Sequence, residues 1–259
     1  MYEGKYFLFN FEKGIGTLTL NRPPYNIFEA GFYVELAEVE EFISNVQGIR
    51  CLIVNANGKC FSAGIDLNYL QNVSSAYVLE HLPQLQHIYS FFQEQTYPVI
   101  AAVQGLCTGS GMEFVLGADI RIASEDARFS LPEVQLGLSP DMGGTSRLTR
   151  LVGIGQAKRI IIGGDELDAK EAKEIGLVEV VVPLEELNER ALKMAKKIAR
   201  SPEAAVRFAK MGINLTDEGG LRAGQIFEQA QSTYCCGTED LQKSVAAYKE
   251  MLAARSKKQ

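Results

Sequence analysis

Residues 98–123, PVIAAVQGLCTGSGMEFVLGADIRIA, constrain this chain more than any other stretch, because they set one carboxylate inside an apolar run. Val99–Val103 is short and rich in β-branched residues, which predicts a buried strand. Gly105, Gly109 and Gly111 then supply a turn where the backbone can come close to a neighbour. Residues 112–117 predict a buried helix and residues 120–123 another strand. Glu113 stands on the first turn of that helix, among Met, Phe, Val and Leu. An ionised group in such surroundings costs several kcal/mol unless it is paired or put to use. The glycine turn points it at the same spot as the free N–H groups of the helix N-terminus. This outlines a chemical site that needs partners from elsewhere.

The flanking chain supplies an α/β setting. Residues 6–10 and 16–20 alternate around Glu12-Lys13-Gly14, which predicts a hairpin. Two prolines make residues 21–26, NRPPYN, a loop. Helical spacing covers residues 29–45, and RCLIVN at 50–55 reads as a strand. Asp66 suits the N-cap of a short helix, with a longer one running on to about residue 95. Residues 128–131 and 177–182 predict strands, 138–144 a loop, and a helix from near 145; residues 156–162 and 169–175 are helical in pattern. Beyond Pro183 everything has helical period: 187–200, 202–214, 217–234 and 238–254, the last capped by Thr238. Two domains are therefore expected, an α/β core over residues 1–195 and an all-helical region over 196–259.

Composition removes several classes of function. At 46% hydrophobic and 22% charged residues, the 259-residue chain has the makings of a sizeable core. No run reaches the ~18 apolar residues of a membrane span, and MYEGKYFLFNFEKG is no secretory signal. Five cysteines, odd in number and without a CxxC pair, fit a reducing, cytoplasmic location. Two histidines six residues apart argue against a metal site. The net charge of −6 argues against nucleic acid. That charge is uneven, because residues 190–259 carry 13 Lys and Arg against 7 Asp and Glu. A solvated helical face accounts for it, as does a surface for a polyanionic ligand or an acidic neighbouring subunit.

Gly109-Ser110-Gly111 follows a strand and opens a helix, as a dinucleotide fingerprint does, but Phe114 stands where the third glycine belongs. Gly58-Lys59 lacks the earlier glycine of a phosphate loop, and no GxSxG elbow occurs. What remains is a set of carboxylates and backbone donors. FSAGIDL, PVIAAVQG, GSGMEF, GADIRIA, PEVQLGL and GGTSRL stand in an order and at spacings that resemble the enoyl-CoA hydratase/isomerase (crotonase) superfamily. The resemblance runs from the NRP near residue 22 to the helical C-terminus.

The resemblance implies a spiral of ββα units, a C-terminal helical trimerisation region and acyl-CoA thioester substrates. It implies no separate cofactor, since coenzyme A is part of the substrate. It places an oxyanion hole at the backbone N–H groups of Ile65 and Ser110. Substrate contacts are implied at Pro24, Tyr25, Ser62, Ala63, Gly64, Ile65, Asp66, Leu67, Gly109 and Gly111. Glu113 and Glu133 fall where hydratases carry their catalytic glutamates. Ser110 departs from the commoner glycine triplet, which keeps the N–H and adds a hydroxyl. Asp141 stands where many hydratases have glycine and dienoyl-CoA isomerases an aspartate; it also suits an N-cap after Pro140. The resulting expectation is a 2-enoyl-CoA hydratase, assembled as a homotrimer or a dimer of trimers. The alternatives are a Δ3,5-Δ2,4-dienoyl-CoA isomerase using Glu133 and Asp141, and a non-catalytic binding or assembly protein on the same fold.

Overall fold

The computed structural model of the chain describes residues 1–256. Strands β1 (Tyr2–Glu3), β2 (Phe7–Glu12) and β3 (Ile15–Leu20) precede helix α1 (Ala30–Ser44) and strand β4 (Cys51–Ala56). Helices α2 (Leu67–Gln71) and α3 (Ser75–Glu94) come after it. Next are β5 (Val99–Val103), β6 (Leu106–Thr108), α4 (Ser110–Leu116), β7 (Ile120–Ser124) and β8 (Arg128–Ser130). After a 3₁₀ turn at Glu133–Leu136 come α5 (Gly144–Gly163), β9 (Leu167–Asp168), α6 (Ala169–Glu174), β10 (Val180–Val182) and α7 (Leu187–Ala199). Helices α8 (Glu203–Cys236) and α9 (Glu239–Ser256) complete the described chain. Contacts divide it into two compact units, Met1–Lys197 and the residues from Ile198 onward.

In the first unit, seven strands form a sheet in the order β1-β2-β3-β4-β5-β7-β10. The first three are antiparallel and the rest pair in parallel. All five residues of β5 are buried, as an inner parallel strand requires. A second sheet, β6-β8-β9, is not expected from the sequence beyond β8, because its strands of two or three residues are too short to show a period. The glycines read as a turn before α4 therefore flank a strand, and α4 starts at Ser110, two residues earlier than expected.

Aromatic packing fixes α4. Phe114 makes edge-to-face contacts with Phe28, Phe32, Tyr89 and Phe92, at centroid separations of 4.9–6.4 Å. These rings come from the loop before α1, from α1 and from α3, so three separate segments grip the helix that carries Glu113.

One buried acid lies outside this arrangement. Glu40 on α1 is 8% exposed and its Oε1 has no hydrogen-bond partner among the described residues. Burial, aided by the nearby Glu94, pushes its carboxyl up to about 9. The folded chain therefore holds a proton that the unfolded chain releases above its ordinary carboxylate pKa of 4.5. Stability is full below that value and declines as pH rises towards about 9, by roughly 3 kcal/mol at pH 7. Glu40→Gln removes this titration, so its Tm advantage over wild type should widen between pH 5 and pH 8. A constant Tm difference across that range would refute the assignment.

In the second unit α8 is two helices in sequence. The sequence separates residues 202–214 from 217–234, which puts the break at 215–216. The break lies instead at Gly220, whose φ of 75° is left-handed and costs glycine little. Thr216 continues the helix, its hydroxyl donating to Gly212 O at 2.8 Å. The halves fold back on one another, since Phe208 packs edge-to-face on Phe227 at 6.1 Å and Tyr234 at 5.3 Å. Thr238 caps α9 as its sequence predicts, accepting from Leu241 N–H at 3.3 Å.

Candidate active site

Two loops of the first unit meet side by side. Ser62 N–H donates to Leu106 O at 3.0 Å, and Thr108 N–H donates to Ser62 O at 3.1 Å. This single parallel bridge ties the loop carrying Ile65 to the strand leading into Ser110. Ile65 has a second bridge, to Phe28. There Phe28 N–H binds Gly64 O at 2.9 Å and Phe28 O receives Asp66 N–H at 2.8 Å. Such a bridge uses the neighbours of Ile65 and turns the N–H of Ile65 itself the other way. At the second loop, Gly109 N–H donates to Ser130 O at 2.9 Å and Glu113 N–H to Gly109 O at 3.0 Å. Ser110 is the first residue of α4, where the helical ladder has no use for its N–H.

The carboxylates converge on the second loop. Glu113 is 2% exposed, and its Oε1 accepts N–H groups of Met142 and Gly144, both at 2.9 Å. Burial, with smaller contributions from Glu133 and Asp141, pushes its carboxyl up to about 7 against the pull of those two bonds. Glu133, on the first residue of the 3₁₀ turn, is half-buried. A Cβ built on Gly109 would lie 3.2 Å from Glu133 Oε1. The other oxygen, Oε2, is buried with no hydrogen-bond partner among the described residues. Burial raises the pKa of Glu133, and Asp141 adds to the shift. Asp141 is exposed, but partial desolvation still raises its carboxyl. The structure thus brings the three acids singled out in the sequence into mutual electrostatic reach.

The remaining expected residues have more varied surroundings. Ser62 is buried and structural in its contacts, its hydroxyl donating to Asn26 O at 2.8 Å and accepting Gly64 N–H at 3.0 Å. Asp66 caps α2 as expected, accepting from Asn68 and Tyr69 N–H at 2.8 and 3.0 Å. Ala63 N–H binds Tyr25 O at 2.9 Å, while Pro24, Tyr25 and Leu67 are exposed. Gly111 lies against Ser62, in the seam between the loops. Asp141 does not cap a helix: α5 begins after Gly143, with no side-chain capping bond. Pro140 and Asp141 belong to the preceding loop, which leaves the carboxyl without that structural task.

Several supporting residues are not legible in the sequence. Asn26 is buried; its Oδ1 accepts Arg22 N–H at 2.8 Å and its amide donates to the carbonyls of Asn57, Cys60 and Phe61 at 2.8–3.1 Å. It fastens the proline loop to the loop carrying Ile65. Its only sequence signal is an asparagine in a turn-rich loop, which left-handed backbone tolerates. Arg147 on α5 donates to Met142 O, Ser90 Oγ and Gln93 Oε1 at 2.8–3.2 Å. Gln86 Nε2 donates to Asp141 O at 2.7 Å. Together they hold the acid-bearing loop against α3. Tyr33 on α1 and Tyr89 on α3 also reach this region.

Backbone donors at the seam of two loops, with buried acids beside them, are the kinds of group with which an acid–base enzyme can stabilise charge on an oxygen. Comparison with known proteins names the family. The enoyl-CoA hydratase/isomerase family matches residues 10–259, and the chain belongs to that family. It is 35% identical over 233 residues to the 2,3-dehydroadipyl-CoA hydratase of Escherichia coli, covering 89% of this chain and 90% of that one. It is 34% identical over 241 residues to the crotonyl-CoA hydratase of Syntrophomonas wolfei, covering 92% and 93%. The crystal structure of an enoyl-CoA hydratase from Bacillus anthracis superposes with a TM-score of 0.89 at 33% identity, over 95% of this chain and 96% of that one. The crotonase fold expected from the motifs is therefore the fold of this chain. No helix among the described residues is long and apolar enough to cross a membrane.

Proposed function

We propose that this protein hydrates the 2,3 double bond of a 2-enoyl-CoA thioester. The observation that carries this reading is that Glu113 and Glu133 lie within electrostatic reach of one another at α4, one acid pinned by two N–H groups and the other with a buried, unpartnered oxygen. In this reading the thioester oxygen lies against the N–H groups of Ile65 and Ser110. Enolate charge developing there is stabilised by preorganised donors, each worth roughly 3–4 kcal/mol. Water held between the two glutamates adds its oxygen to Cβ and gives a proton to the carboxylate. The protonated partner delivers its own proton to Cα, so the pair ends with as many protons as it began. Burial raises both pKa values and the charge of Glu133 adds to the shift at Glu113, which favours one proton held by the pair. The hydratase names of the relatives support the reaction type. A binding-only use of the fold gives no reason to keep Glu133 Oε2 buried without a partner. The direct test is loss of the 2-enoyl absorbance with crotonyl-CoA and a longer 2-enoyl-CoA.

The free carboxyl of Asp141 favours a second reading, dienoyl-CoA isomerisation, in which Glu133 and Asp141 move a proton between distant carbons. Asp141→Asn separates the two. It should leave Tm near wild type, since Asp141 caps nothing, and should leave most 2-enoyl hydration intact. Loss of 3,5-dienoyl-CoA isomerisation in this variant, with a wild-type isomerisation rate ~10² times the hydration rate, would put the isomerase first.

The reading includes assembly as a homotrimer or a dimer of trimers in the cytoplasm, with no separate cofactor and no nucleic-acid or membrane partner. What supports assembly is the apolar surface of the second unit, where Ile213, Leu221, Ile226, Tyr234 and Tyr248 are all more than half exposed. Light scattering should give three or six chain masses at micromolar concentration. A monomer there would remove this part of the proposal.

A further inference from the structure

The stretch that supplies both donors to Glu113 is held from outside its own backbone. Met142 and Gly144 give their N–H groups to Glu113 Oε1, both at 2.9 Å. Among the described residues, no backbone-to-backbone hydrogen bond reaches Asp141 or Met142. Arg147 on α5 fixes them from the other side, its Nη1–H donating to Met142 O at 3.0 Å. The same guanidinium is anchored on α3. It donates through Nη2 to Ser90 Oγ at 2.8 Å and through Nε to Gln93 Oε1 at 3.2 Å. Ser90 Oγ in turn donates to Gln86 O at 2.9 Å, and Gln86 Nε2 donates to Asp141 O at 2.7 Å. This circuit runs from α3 to the loop and back.

Two glycines make room for it. A Cβ on Gly143, whose φ is 106°, would run into the Arg147 guanidinium. A Cβ on Gly144 would stand 2.8 Å from Glu113 Oε1. Bare backbone thus lies between a cation and a carboxylate, in contact with one at each of two neighbouring residues. We infer that Arg147, which reaches no reacting atom, is a positioning residue for Glu113: it fixes the peptide groups that aim the carboxylate at the double bond, which rests on the hydratase reading above and adds a residue to it.

The chemistry of the side chain fits the task. Three acceptors in three directions suit the planar guanidinium fork, which a lysine ammonium on a flexible stem does not reproduce. If α5 and α3 needed only adhesion, an apolar side chain would give it without desolvating a cation. The guanidinium also faces Glu113 and Glu94, whose charges oppose the fall in its pKa caused by burial. Its positive charge in turn favours the ionised form of Glu113, whereas burial, Glu133 and Asp141 raise that carboxyl. Tyr33 and Tyr89, from α1 and α3, also lie within electrostatic reach of Glu113, and burial keeps both phenols protonated.

The test measures hydration of crotonyl-CoA by wild type, Arg147→Ala, Arg147→Lys and Ser90→Ala. Arg147→Ala should lose about 10²-fold in kcat, as a displaced catalytic group does, with KM within about twofold of wild type. Arg147→Lys should recover only a small part of that loss, because it restores the charge and not the fork. Added ethylguanidinium should raise kcat of Arg147→Ala and leave wild type and Glu113→Gln unchanged. In Arg147→Ala the fall of kcat/KM with rising pH should move to higher pH, since the cation that favours ionised Glu113 is gone. Ser90→Ala removes one anchor and touches neither the loop nor Glu113; it should lower kcat in the same way but less. Wild-type kcat with an unmoved pH profile in Arg147→Ala overturns the inference and leaves the hydratase reading standing. So does a loss that ethylguanidinium does not reverse and that comes with an unmoved pH profile. If Arg147→Ala does not fold, Ser90→Ala decides: lowered kcat at unchanged KM upholds the inference, and wild-type kcat overturns it. No hydration by wild type overturns both readings.

Discussion

Glu133→Gln should lower kcat for 2-enoyl-CoA hydration by about 10²–10⁴-fold, and Glu113→Gln by a similar factor, with both variants folded. The amide preserves shape and, at Glu113, leaves an oxygen to accept from Met142 and Gly144 N–H. Only proton transfer is removed. Near wild-type turnover of Glu133→Gln on every substrate would defeat the acid–base assignment. The same pair sets the pH profile. A pair sharing one proton works between its two ionisations, and the upper one is set by Glu113, pushed up to about 7. Activity is therefore present below that value and falls as pH rises through about 7, when the last shared proton leaves. It falls again at acid pH, when both carboxyls are protonated. A profile of kcat/KM that stays flat from pH 5 to 9 would contradict this.

Gly64→Ala should be nearly as damaging although it touches no acid. Gly64 has a φ of 85°, and a Cβ there would stand 2.8 Å from the carbonyl oxygen of Thr108. Backbone cannot swing aside as a flexible side chain does, so the two loops must part. Parting them misaligns the N–H groups of Ile65 and Ser110, whose loops are joined through the Ser62 bridge. Losing one donor of this kind costs about 10²–10³-fold in kcat. The loss should appear in kcat with KM changed less, because the donors bind developing charge more strongly than the ground-state carbonyl. A variant of lowered Tm that keeps wild-type kcat would show that the alignment of these loops does not govern the reaction.

Much of the fold is legible because its signals are local. The alternation around Lys13-Gly14 predicts the β2–β3 hairpin, the unbroken apolar run predicts β5, and Asp66 and Thr238 announce helix starts by chemistry confined to three residues. Glu113 stands out for a comparable reason, since one acid in an apolar helix is conspicuous without knowing its neighbours. The misplaced break in α8 shows the limit. Thr216 looks like a helix breaker until its hydroxyl is seen to bond within the helix, and the true break needs the left-handed backbone of Gly220.

The composition of the site is decided elsewhere. The parallel order β4-β5-β7 brings the loops after β4 and β6 and the acids of residues 113, 133 and 141 to one place. Register, unlike period, depends on pairings between residues that lie far apart in the chain. Asp141 can be read as a cap from its proline neighbour, but only the start of α5 at Gly144 shows that it caps nothing. Asn26 and Arg147 carry no local mark of their roles. Those roles come from hydrogen bonds between distant segments.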